Sequence, residues 1–243
     1  MNLSVPSSDA RLPRYQQLRD LLAAQIATGT WKPGAAIPPE QALADTHDLA
    51  VGTVRKAIET LVAEGLLEKR QGKGTFVRRA EFGNSLFRFF RFSDETGALP
   101  EGRVLSRKLM PASPQAAAQL GLAPSAPTIW LSRLRLINGE PILAEDIWLP
   151  ADRFAALADL APDQFGDLLY PLYESLCGQS IAAAEETLSV EAADAPAAAL
   201  LQIAPSTSVV VIERLARGFD RQPLEWRRSR GRADRFRYRV EIR

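Results

Sequence analysis

The sequence from Ile37 to Val77, IPPEQALADTHDLAVGTVRKAIETLVAEGLLEKRQGKGTFV, decides how the N-terminal part of this 243-residue chain folds. After residue 50 its apolar side chains recur every three or four residues, which predicts an amphipathic helix that ends at Gly65. A shorter helix is predicted before it, over Pro39–Thr46. Two strands follow, Leu66–Arg70 and Thr75–Arg79, and the glycine-rich turn between them indicates a β-hairpin.

A further amphipathic helix is predicted upstream, over Arg14–Thr28, where Gly29 stops it. The order is therefore helix, helix, tight turn, helix and hairpin. This order is typical of a winged helix-turn-helix, whose third helix enters the major groove of DNA while the hairpin lies along the neighbouring backbone. A small structural domain with no DNA role is the alternative. In the second helix we expect Ala42 and Leu43 to face inward.

The rest of the chain mixes predicted strands with two or three helices. The turn Asn138–Gly139 separates strands predicted over Thr128–Ile137 and Ile142–Trp148, and a helix is predicted over Asp167–Cys177. A short alanine-rich helix is expected within residues 189–202. The remaining predicted strands are Val209–Gly218, Leu224–Arg230 and Phe236–Ile242.

These elements divide the chain into a DNA-binding domain at residues 10–79, a linker at 80–95 and a second domain at 96–243. In the linker, aromatic and basic residues alternate from Phe87 to Phe92. Such a pattern can stack on nucleic acid. We favour the other interpretation, in which the aromatic side chains pack onto the second domain.

Composition and charge fit a globular protein of the cytoplasm. The apolar content of 46% and the charged content of 24% are ordinary, no apolar run approaches the ~18 residues of a membrane span, and the polar N-terminus does not resemble a secretory signal. The net charge is only +1, but residues 1–80 hold 11 Lys and Arg against 8 Asp and Glu. This modest basic bias is compatible with DNA binding. We expect no membrane partner.

Few residues support an enzyme. The one histidine, His47, falls in the predicted helix-turn-helix, and the one cysteine, Cys177, has no histidine in its own domain to activate it. No residues show metal-ligand spacing, and Gln71–Gly74 lacks the spacing of a nucleotide-binding glycine loop. We expect no catalytic residue, no metal and no cofactor. An architectural DNA protein without a ligand stays as a further alternative.

The stretch from Tyr15 to Val77 resembles the DNA-binding domain of the GntR family of bacterial transcription regulators. Several short segments carry the likeness in the family's order and spacing. They are Pro13-Arg14-Tyr15, Gly29-Thr30-Trp31-Lys32-Pro33-Gly34, Ile37-Pro38-Pro39-Glu40, Thr53-Val54-Arg55, Glu64-Gly65-Leu66-Leu67 and Gln71-Gly72-Lys73-Gly74-Thr75-Phe76-Val77.

The C-terminal part resembles the UTRA effector domain of the HutC subfamily. The likeness lies in Arg133-Leu134-Arg135, Asn138-Gly139-Glu140-Pro141-Ile142, Glu145, Leu149-Pro150, Tyr170, Gly178 and Asp234-Arg235-Phe236-Arg237-Tyr238. The resemblance implies an α+β fold, with a winged helix-turn-helix joined to a mostly antiparallel sheet flanked by helices, as in chorismate lyase. It also implies that residues 96–243 bind the effector and dimerise.

The resemblance further implies a homodimer on a near-palindromic DNA operator. Such a protein is usually a repressor that a small molecule releases. An effector-dependent activator is the first alternative. A lyase-like enzyme fused to a DNA-binding module is the second.

Candidate DNA-binding residues lie on the outward face of the third helix, in the second helix and in the wing. They are Gln41, Gly52, Thr53, Arg55, Lys56, Gly72, Lys73 and Thr75. Arg55 matches the arginine of the family's Thr-Val-Arg triplet and is expected to touch DNA. The family commonly starts this helix with Ser-Arg, where this chain has Ala50 and Val51. The usual guanine-centred operator is therefore not expected to carry over.

The resemblance carries five residues over as effector-binding: Arg133, Arg135, Glu145, Tyr170 and Glu225. Arg133 and Arg135 are two apart on one predicted strand, so they share a face and suit an anionic ligand. The alternative is a surface ladder of cross-strand charges, with no ligand.

The register of the hairpin at Asn138–Gly139 decides whether Glu145 joins the two arginines. A two-residue turn on its own pairs Arg133 with Ala144 and puts Glu145 on the opposite face. A three-residue turn, or an equivalent bulge, pairs Arg133 with Glu145, and paired residues share a face. We expect the second arrangement.

Overall fold

The structure is a computed structural model that describes residues 12–79 and 100–236. These residues form two compact units. The N-terminal unit comprises residues 12–79 together with Gly218–Gln222, and the C-terminal unit comprises the rest of the second range. The predicted linker 80–95 and the predicted strand beyond Phe236 lie outside the described residues. No helix within the two described ranges is long and apolar enough to cross a membrane.

The N-terminal unit contains the predicted three helices and hairpin. The helices are α1 (Arg14–Ala27), α2 (Glu40–His47) and α3 (Val51–Ala63), and the strands are β1 (Leu67–Arg70) and β2 (Gly74–Val77). The two strands are antiparallel, with Arg70 opposite Gly74. This is a winged helix-turn-helix.

A continuous apolar core holds these elements together. It consists of Leu18, Leu22, Ile26, Ile37, Leu43, Ala44, Val54, Ala57, Ile58, Leu61, Leu66, Leu67 and Val77, all buried. The three- and four-residue spacing within α1 and α3 puts one face of each helix into this core. The expected inward position of Ala42 is wrong: Ala42 is exposed and Ala44 is buried, because the short helix turns the 43–44 pair toward α3.

The C-terminal unit is built on one six-stranded sheet. Its strands are β3 (Glu101–Pro111), β4 (Pro127–Ile137), β5 (Glu140–Pro150), β6 (Ile181–Ala192), β7 (Ser208–Gly218) and β8 (Pro223–Arg232), in the order β3-β4-β5-β8-β7-β6. The pairs β3–β4, β4–β5, β5–β8 and β7–β8 are all antiparallel. The predicted α+β class with a mostly antiparallel sheet is confirmed.

Helices cover both faces of this sheet. Those within residues 100–236 are α4 (Pro114–Leu120), α5 (Leu169–Cys177) and α6 (Ala195–Leu201). On one face, α5 and the short 3-10 turns after β5 pack on Ile129, Leu131, Ile147 and Leu149. On the other face, α6 packs near Leu134 and Ala144, and α4 packs on Trp226. We call the first of these the α5 face.

The hairpin between β4 and β5 combines a two-residue turn with a bulge. Asn138 and Gly139 both have positive φ, 51° and 78°, as a tight hairpin turn requires. The register shifts beyond the turn, because Leu136 pairs with Pro141 whereas Arg135 pairs with Leu143, and Ile142 is left unpaired. Arg133 consequently pairs with Glu145. The expected bulged register is the one that the structure has.

Some elements of the C-terminal unit were not predicted individually. They are β3, α4 and most of β6. The alanine-rich helix, predicted within residues 189–202, covers only Ala195–Leu201, while residues 189–192 end β6. The sequence Ala182–Glu186 consists of good helix formers. Pairing at the edge of the sheet overrides that preference.

Candidate DNA interface and effector site

The recognition helix presents a polar face to solvent. Val54 and Ala57 are fully buried, whereas Gly52, Arg55 and Lys56 are exposed on the opposite side of α3. Thr53 is half-buried. The structure thus places the predicted residues of α3 on one outward face at its N-terminal end, which is the end that meets base edges in helix-turn-helix proteins.

Arg55 is held in position by an acidic residue that the sequence did not single out. Its Nε donates to Glu40 Oε2 at 2.9 Å, and Lys69 Nζ lies 3.6 Å from Glu40 Oε1. Glu40 therefore joins α2, α3 and β1. The Arg55 side chain nevertheless stays 57% exposed, so it is both oriented and accessible. The segment Ile37–Glu40 carried the family likeness and contained this signal.

Two other predicted residues have partners within the protein. Lys56 Nζ lies 4.1 Å from the centre of the Tyr15 ring, which holds its ammonium group over α1. Gln41 donates to Asp45 Oδ1 at 2.9 Å, one turn along α2. Both remain exposed. They need to give up or share these contacts in order to bind DNA.

The wing turn has the backbone geometry that glycine permits. Gly72 and Gly74 have φ of 70° and 112°, a region that other residues rarely adopt. Lys73 is exposed between them and Thr75 is half-buried on β2. The turn can therefore bring its backbone close to a phosphate group.

Replacing Arg55 with alanine is expected to weaken operator binding by about 1–3 kcal/mol if Arg55 contacts a base edge. Folding should be unaffected, since Arg55 is exposed. A mobility-shift titration measures the change. Arg103→Ala removes the same charge from an exposed residue of the C-terminal unit and serves as the control. Equal affinity of Arg55→Ala and Arg103→Ala would remove Arg55 from the recognition set.

A row of charged side chains crosses the α5 face of the large sheet. Arg133 pairs with Glu145, and Glu145 pairs with Ser229 on β8. Arg214 pairs with Arg227 in the next strand. Because paired residues share a face and so do residues two apart, the row also includes Arg135 and Glu225. All seven side chains are buried.

Arg133 and Arg135 converge on one main-chain oxygen. Arg133 Nη2 and Arg135 Nη1 each donate to the carbonyl oxygen of Asp167 at 2.5 Å. Asp167 lies just before α5. The same Nη2 of Arg133 lies against Gly102, where a Cβ would come within 2.0 Å of it, so the absence of a side chain at Gly102 leaves the room that the guanidinium group fills.

Glu145 balances two of the arginines. It accepts from Arg133 Nη1 at 3.2 Å, from Arg227 Nη1 at 3.2 Å and from Ser229 Oγ at 3.2 Å. Burial by itself raises the pKa of Glu145, but the positive charges of Arg227 and Arg133 outweigh it and lower the pKa to about 2. Glu145 is therefore ionised at neutral pH.

Glu225 is the second buried carboxylate. It accepts from Arg227 Nη2 at 2.8 Å and Arg227 Nε at 3.0 Å, a bidentate pair. The hydroxyl groups of Tyr173 and Tyr170 also donate to it, at 2.9 Å and 3.1 Å. Burial, reinforced by the negative charge of Glu225, raises the pKa of Tyr170 to about 12. Both tyrosines are thus hydrogen-bond donors at neutral pH.

Arg214 extends the network toward the edge of the sheet. Its Nε donates to Glu186 Oε1 on β6 at 2.7 Å, and its Nη1 donates to the Tyr170 hydroxyl at 3.2 Å. Arg133, Arg135, Arg214 and Arg227 together are called the arginine cluster below. The structure brings all five predicted effector residues into one network with this cluster.

The network carries an excess of positive charge. Four arginines are buried on this face, against three glutamates that pair with them: Glu145 and Glu225, which are fully buried, and Glu186, which is 16% exposed and pairs with Arg214. Burial and the nearby charge of Arg133 lower the pKa of Arg135 to about 10, and burial lowers the pKa of Arg133. Buried charges are normally paired. The positive charge on this face therefore exceeds the negative charge that pairs with it.

Sequence reasoning missed Asp167, Tyr173, Arg214, Arg227 and Ser229. Arg227 and Ser229 follow Glu225 at two-residue spacing on a predicted strand, so alternation was a usable signal for both. The spacing of Tyr170 and Tyr173 on a helix was another. Nothing in the sequence pointed to the main-chain carbonyl of Asp167, because it depends on how the segment before α5 closes.

The charged network described above contains neither the histidine nor the cysteine that were weighed as catalytic groups. His47 is half-buried at the end of α2, and Cys177 is the last residue of α5, where burial raises its pKa. Within residues 12–79 and 100–236 there is no group of three or more His, Cys, Asp and Glu side chains that can hold a metal ion.

Comparison with known proteins matches both parts of the chain. The model of the bacterial regulatory proteins of the gntR family matches residues 14–77, and the model of the UTRA domain matches residues 95–237. The chain belongs to the GntR family. It is a DNA-binding transcription regulator with an effector domain of the UTRA type, and not an enzyme, as the sequence predicted. A UTRA domain implies a small-molecule effector.

Two relatives support this assignment. The chain is 34% identical over 154 residues to the HTH-type transcriptional regulator YurK of Bacillus subtilis, a match that covers 62% of this chain and 64% of YurK. It is 28% identical over 228 residues to the HTH-type transcriptional repressor NagR of the same species, and this match covers 93% of both chains. The GntR architecture thus extends over nearly the whole sequence.

A solved structure shows the same C-terminal fold. The ligand-binding domain of a GntR-family regulator from Bordetella bronchiseptica superimposes with a TM-score of 0.55 at 28% identity, covering 59% of this chain and 92% of that one. The α5 face described above therefore lies in the domain that binds ligand in the GntR relative.

Proposed function

We propose that this protein is a homodimeric repressor that an anionic metabolite releases from its operator, with the anion bound by Arg133 and Arg135. NagR, similar along nearly the whole chain, is named a repressor. The proposed domains are residues 10–79 for DNA, 80–95 as linker and 96–243 for effector binding and dimerisation. Operator binding places the protein in the cytoplasm.

The excess of positive charge on the α5 face carries the proposal. Four buried arginines face three glutamates. Glu186 pairs with Arg214, and the two fully buried glutamates, Glu145 and Glu225, are each engaged by at least three donors. A neutral ligand leaves that excess in place. A phosphate or carboxylate group offsets it and can accept from two guanidinium groups at once.

The arrangement of Arg133 and Arg135 supplies the geometry. Both guanidinium groups reach the same oxygen atom, the Asp167 carbonyl, at 2.5 Å. An oxygen of an anionic group placed there receives two charge-assisted hydrogen bonds, which are about twice as strong as neutral ones. The aromatic hydroxyls of Tyr170 and Tyr173 and the carboxylate of Glu225 form the polar wall beside the arginines.

Restoring arginine at residue 51 is expected to change which operators are bound, and not only how tightly. Val51 is the first residue of α3 and is partly exposed beside the exposed Ala50. A long donor there can reach the acceptor atoms of guanine in the major groove, which valine cannot. Selection from random DNA with both proteins tests this. Identical preferred sequences would mean that residue 51 does not face bases.

Protection of the DNA upstream of its own gene tests the proposal as a whole. A dimer should protect two half-sites about one helical turn apart. Its affinity should fall steeply between 50 and 200 mM salt, because phosphate contacts release counterions. A monomer that protects a single site, or an affinity that does not depend on salt, contradicts the proposal. Reporter transcription without effector then separates a repressor from an activator.

A further inference from the structure

The carbonyl oxygen of Asp167 fills the position between Arg133 and Arg135. It accepts from both guanidinium groups at 2.5 Å, in a network where positive charge is in excess. A carbonyl group offers lone pairs to two donors but carries no net charge. It therefore accepts a hydrogen bond from each of the two arginines without neutralising their positive charge.

Hydrogen bonds at Asp167, and not apolar packing, hold this part of the chain. Phe165 and Leu169 are buried in the core, at 2% and 3% exposure, but Gly166, Asp167 and Leu168 between them are exposed. Gly166 has a φ of 62°, which favours glycine. The segment 166–168 is thus a short exposed arch between two fixed ends.

The side chain of Asp167 fastens this arch to the first strand of the sheet. Its Oδ1 accepts from the main-chain amide of Gly102 at 2.7 Å. The guanidinium group of Arg133 lies so close to Gly102 that any side chain at residue 102 would collide with it. One residue of β3 thereby makes room for Arg133 and secures the segment that covers it. The buried Nε of Arg133 has no hydrogen-bond partner among the described residues, so the fit around this guanidinium is incomplete.

We infer that the Asp167 carbonyl is an internal competitor of the effector, and that the Asp167 side chain, through Gly102, sets how strongly it competes. The inference rests on the proposed function, since it needs an anion at Arg133 and Arg135. The anion and the carbonyl require the same two donors. Binding the anion therefore displaces the arch 166–168 and breaks the bond between Asp167 and Gly102.

Replacement of the Asp167 carbonyl by the anion would couple effector binding to both α5 and β3. The arch leads directly into α5, and Gly102 lies at the start of β3, the first described element after residues 80–99. Displacement of Asp167 releases both. Asp167 is in this sense a positioning residue: it acts on the anion through the arginines and does not bind it.

Inorganic phosphate titrated into the full chain in a calorimeter tests the inference. Asp167→Ala removes the acceptor for Gly102 and loosens the carbonyl, so phosphate should bind about three- to tenfold more tightly, as expected for one lost competing hydrogen bond. Asp167→Asn keeps an acceptor oxygen. Because Asp167 is exposed and its charge is screened, this control should stay within about twofold of the wild type. Arg135→Gln should abolish phosphate binding.

The outcomes separate this inference from the proposed site. If Asp167→Ala binds phosphate no more tightly while Arg135→Gln abolishes binding, the competition is wrong and the anion site stands. If the affinity for phosphate rises as much in Asp167→Asn as in Asp167→Ala, the charge of Asp167 and not its bond to Gly102 is responsible, and the inference is wrong. If Arg135→Gln binds phosphate as the wild type does, the proposed site itself is wrong.

Hydrogen exchange of the wild-type protein gives a second test that needs no variant. The Gly102 amide is bonded to Asp167 in the structure and should be protected from exchange. Saturating phosphate should accelerate its exchange, because the bond is broken. Unchanged or increased protection of Gly102 at saturation would overturn the inference.

Discussion

Glu145→Gln is expected to lower the free energy of unfolding of the C-terminal unit by about 3–5 kcal/mol, the usual cost of breaking a buried ion pair on one side. Glu145 is fully buried and accepts from Arg133, Arg227 and Ser229. The neutral amide leaves four buried arginines facing Glu225 and the partly buried Glu186. The substitution therefore removes one of the three carboxylates, Glu145, Glu225 and Glu186, that compensate the arginine cluster.

Urea unfolding of the full chain measures this loss. Trp130, Trp148 and Trp226 report on the C-terminal unit, against one tryptophan elsewhere, Trp31. The control is Glu101→Gln, which removes the same charge from a side chain that is half exposed and paired with Arg103 at 2.8 Å. Its effect should stay within about 0.5 kcal/mol. If Glu145→Gln and Glu101→Gln lower the free energy of unfolding equally, Glu145 does not compensate the positive charge of the arginine cluster.

The same residue gives the stability a defined dependence on pH. The pKa of Glu145 is about 2 in the folded protein, below its ordinary value of 4.5. A lowered folded pKa contributes stability that is fully present above the ordinary value and is lost as the pH falls toward the folded value. The C-terminal unit should therefore lose stability between about pH 4.5 and 2. Glu145→Gln should remove this part of the pH dependence.

Arg135→Gln is expected to raise the effector concentration needed for operator release about 10- to 100-fold, because one charge-assisted contact to the anion is lost. Operator affinity without effector should not change. Arg135 is a better test than Arg133, since Arg133 also holds Glu145 at 3.2 Å and its loss disturbs the fold. Anisotropy of a labelled operator, titrated with effector, measures the shift.

Arg103→Gln is the matched control for this experiment. Arg103 lies on β3 in the same unit, but its side chain is 57% exposed and pairs with Glu101. It should respond to effector as the wild type does. If Arg135→Gln responds to the effector as the wild type does, Arg135 does not contact the effector. If Arg103→Gln loses as much sensitivity to the effector as Arg135→Gln, the effect of positive charge is general and not local to the arginine cluster.

The N-terminal unit could be predicted almost residue by residue. The helix predicted over Arg14–Thr28 is Arg14–Ala27 in the structure, and the helix predicted to end before Gly65 ends at Ala63. The reason is physical: α1 and α3 each bury one periodic stripe, and a glycine with positive φ, Gly29 or Gly65, follows the end of each. In α2 the inward position of Ala42 was mispredicted, since a helix of eight residues has too few turns to define an apolar stripe.

The C-terminal unit was less predictable because long-range pairing determines it. Residues 101–111 form an edge strand with a bulge at Leu105, which breaks the alternation of apolar and polar residues. Its large apolar residues, Leu105 and Leu109, are exposed. Edge strand β6 has a helix-favouring sequence in its first half. Neither strand is evident without the partner that pairs with it.

The charged network proposed to bind the effector was predicted in part. The family likeness and the bulged hairpin together put Arg133, Arg135 and Glu145 on one face. Burial, which distinguishes an internal network from a surface ladder, required the structure, because α5 and the arch 166–168 cover these charges. The same holds for Glu40 at the candidate DNA interface, whose bond to Arg55 joins residues 15 apart in sequence.

The most direct test of the central claim compares anions with matched neutral compounds. The full chain, bound to the DNA upstream of its gene, is titrated with phosphorylated or carboxylated metabolites, each paired with its neutral dephosphorylated or amidated analogue. We expect that at least one anion releases the DNA, that its neutral analogue does not, and that Arg135→Gln abolishes or greatly weakens the release. Release by a neutral analogue at the same concentration, unaffected by Arg135→Gln, would contradict the claim.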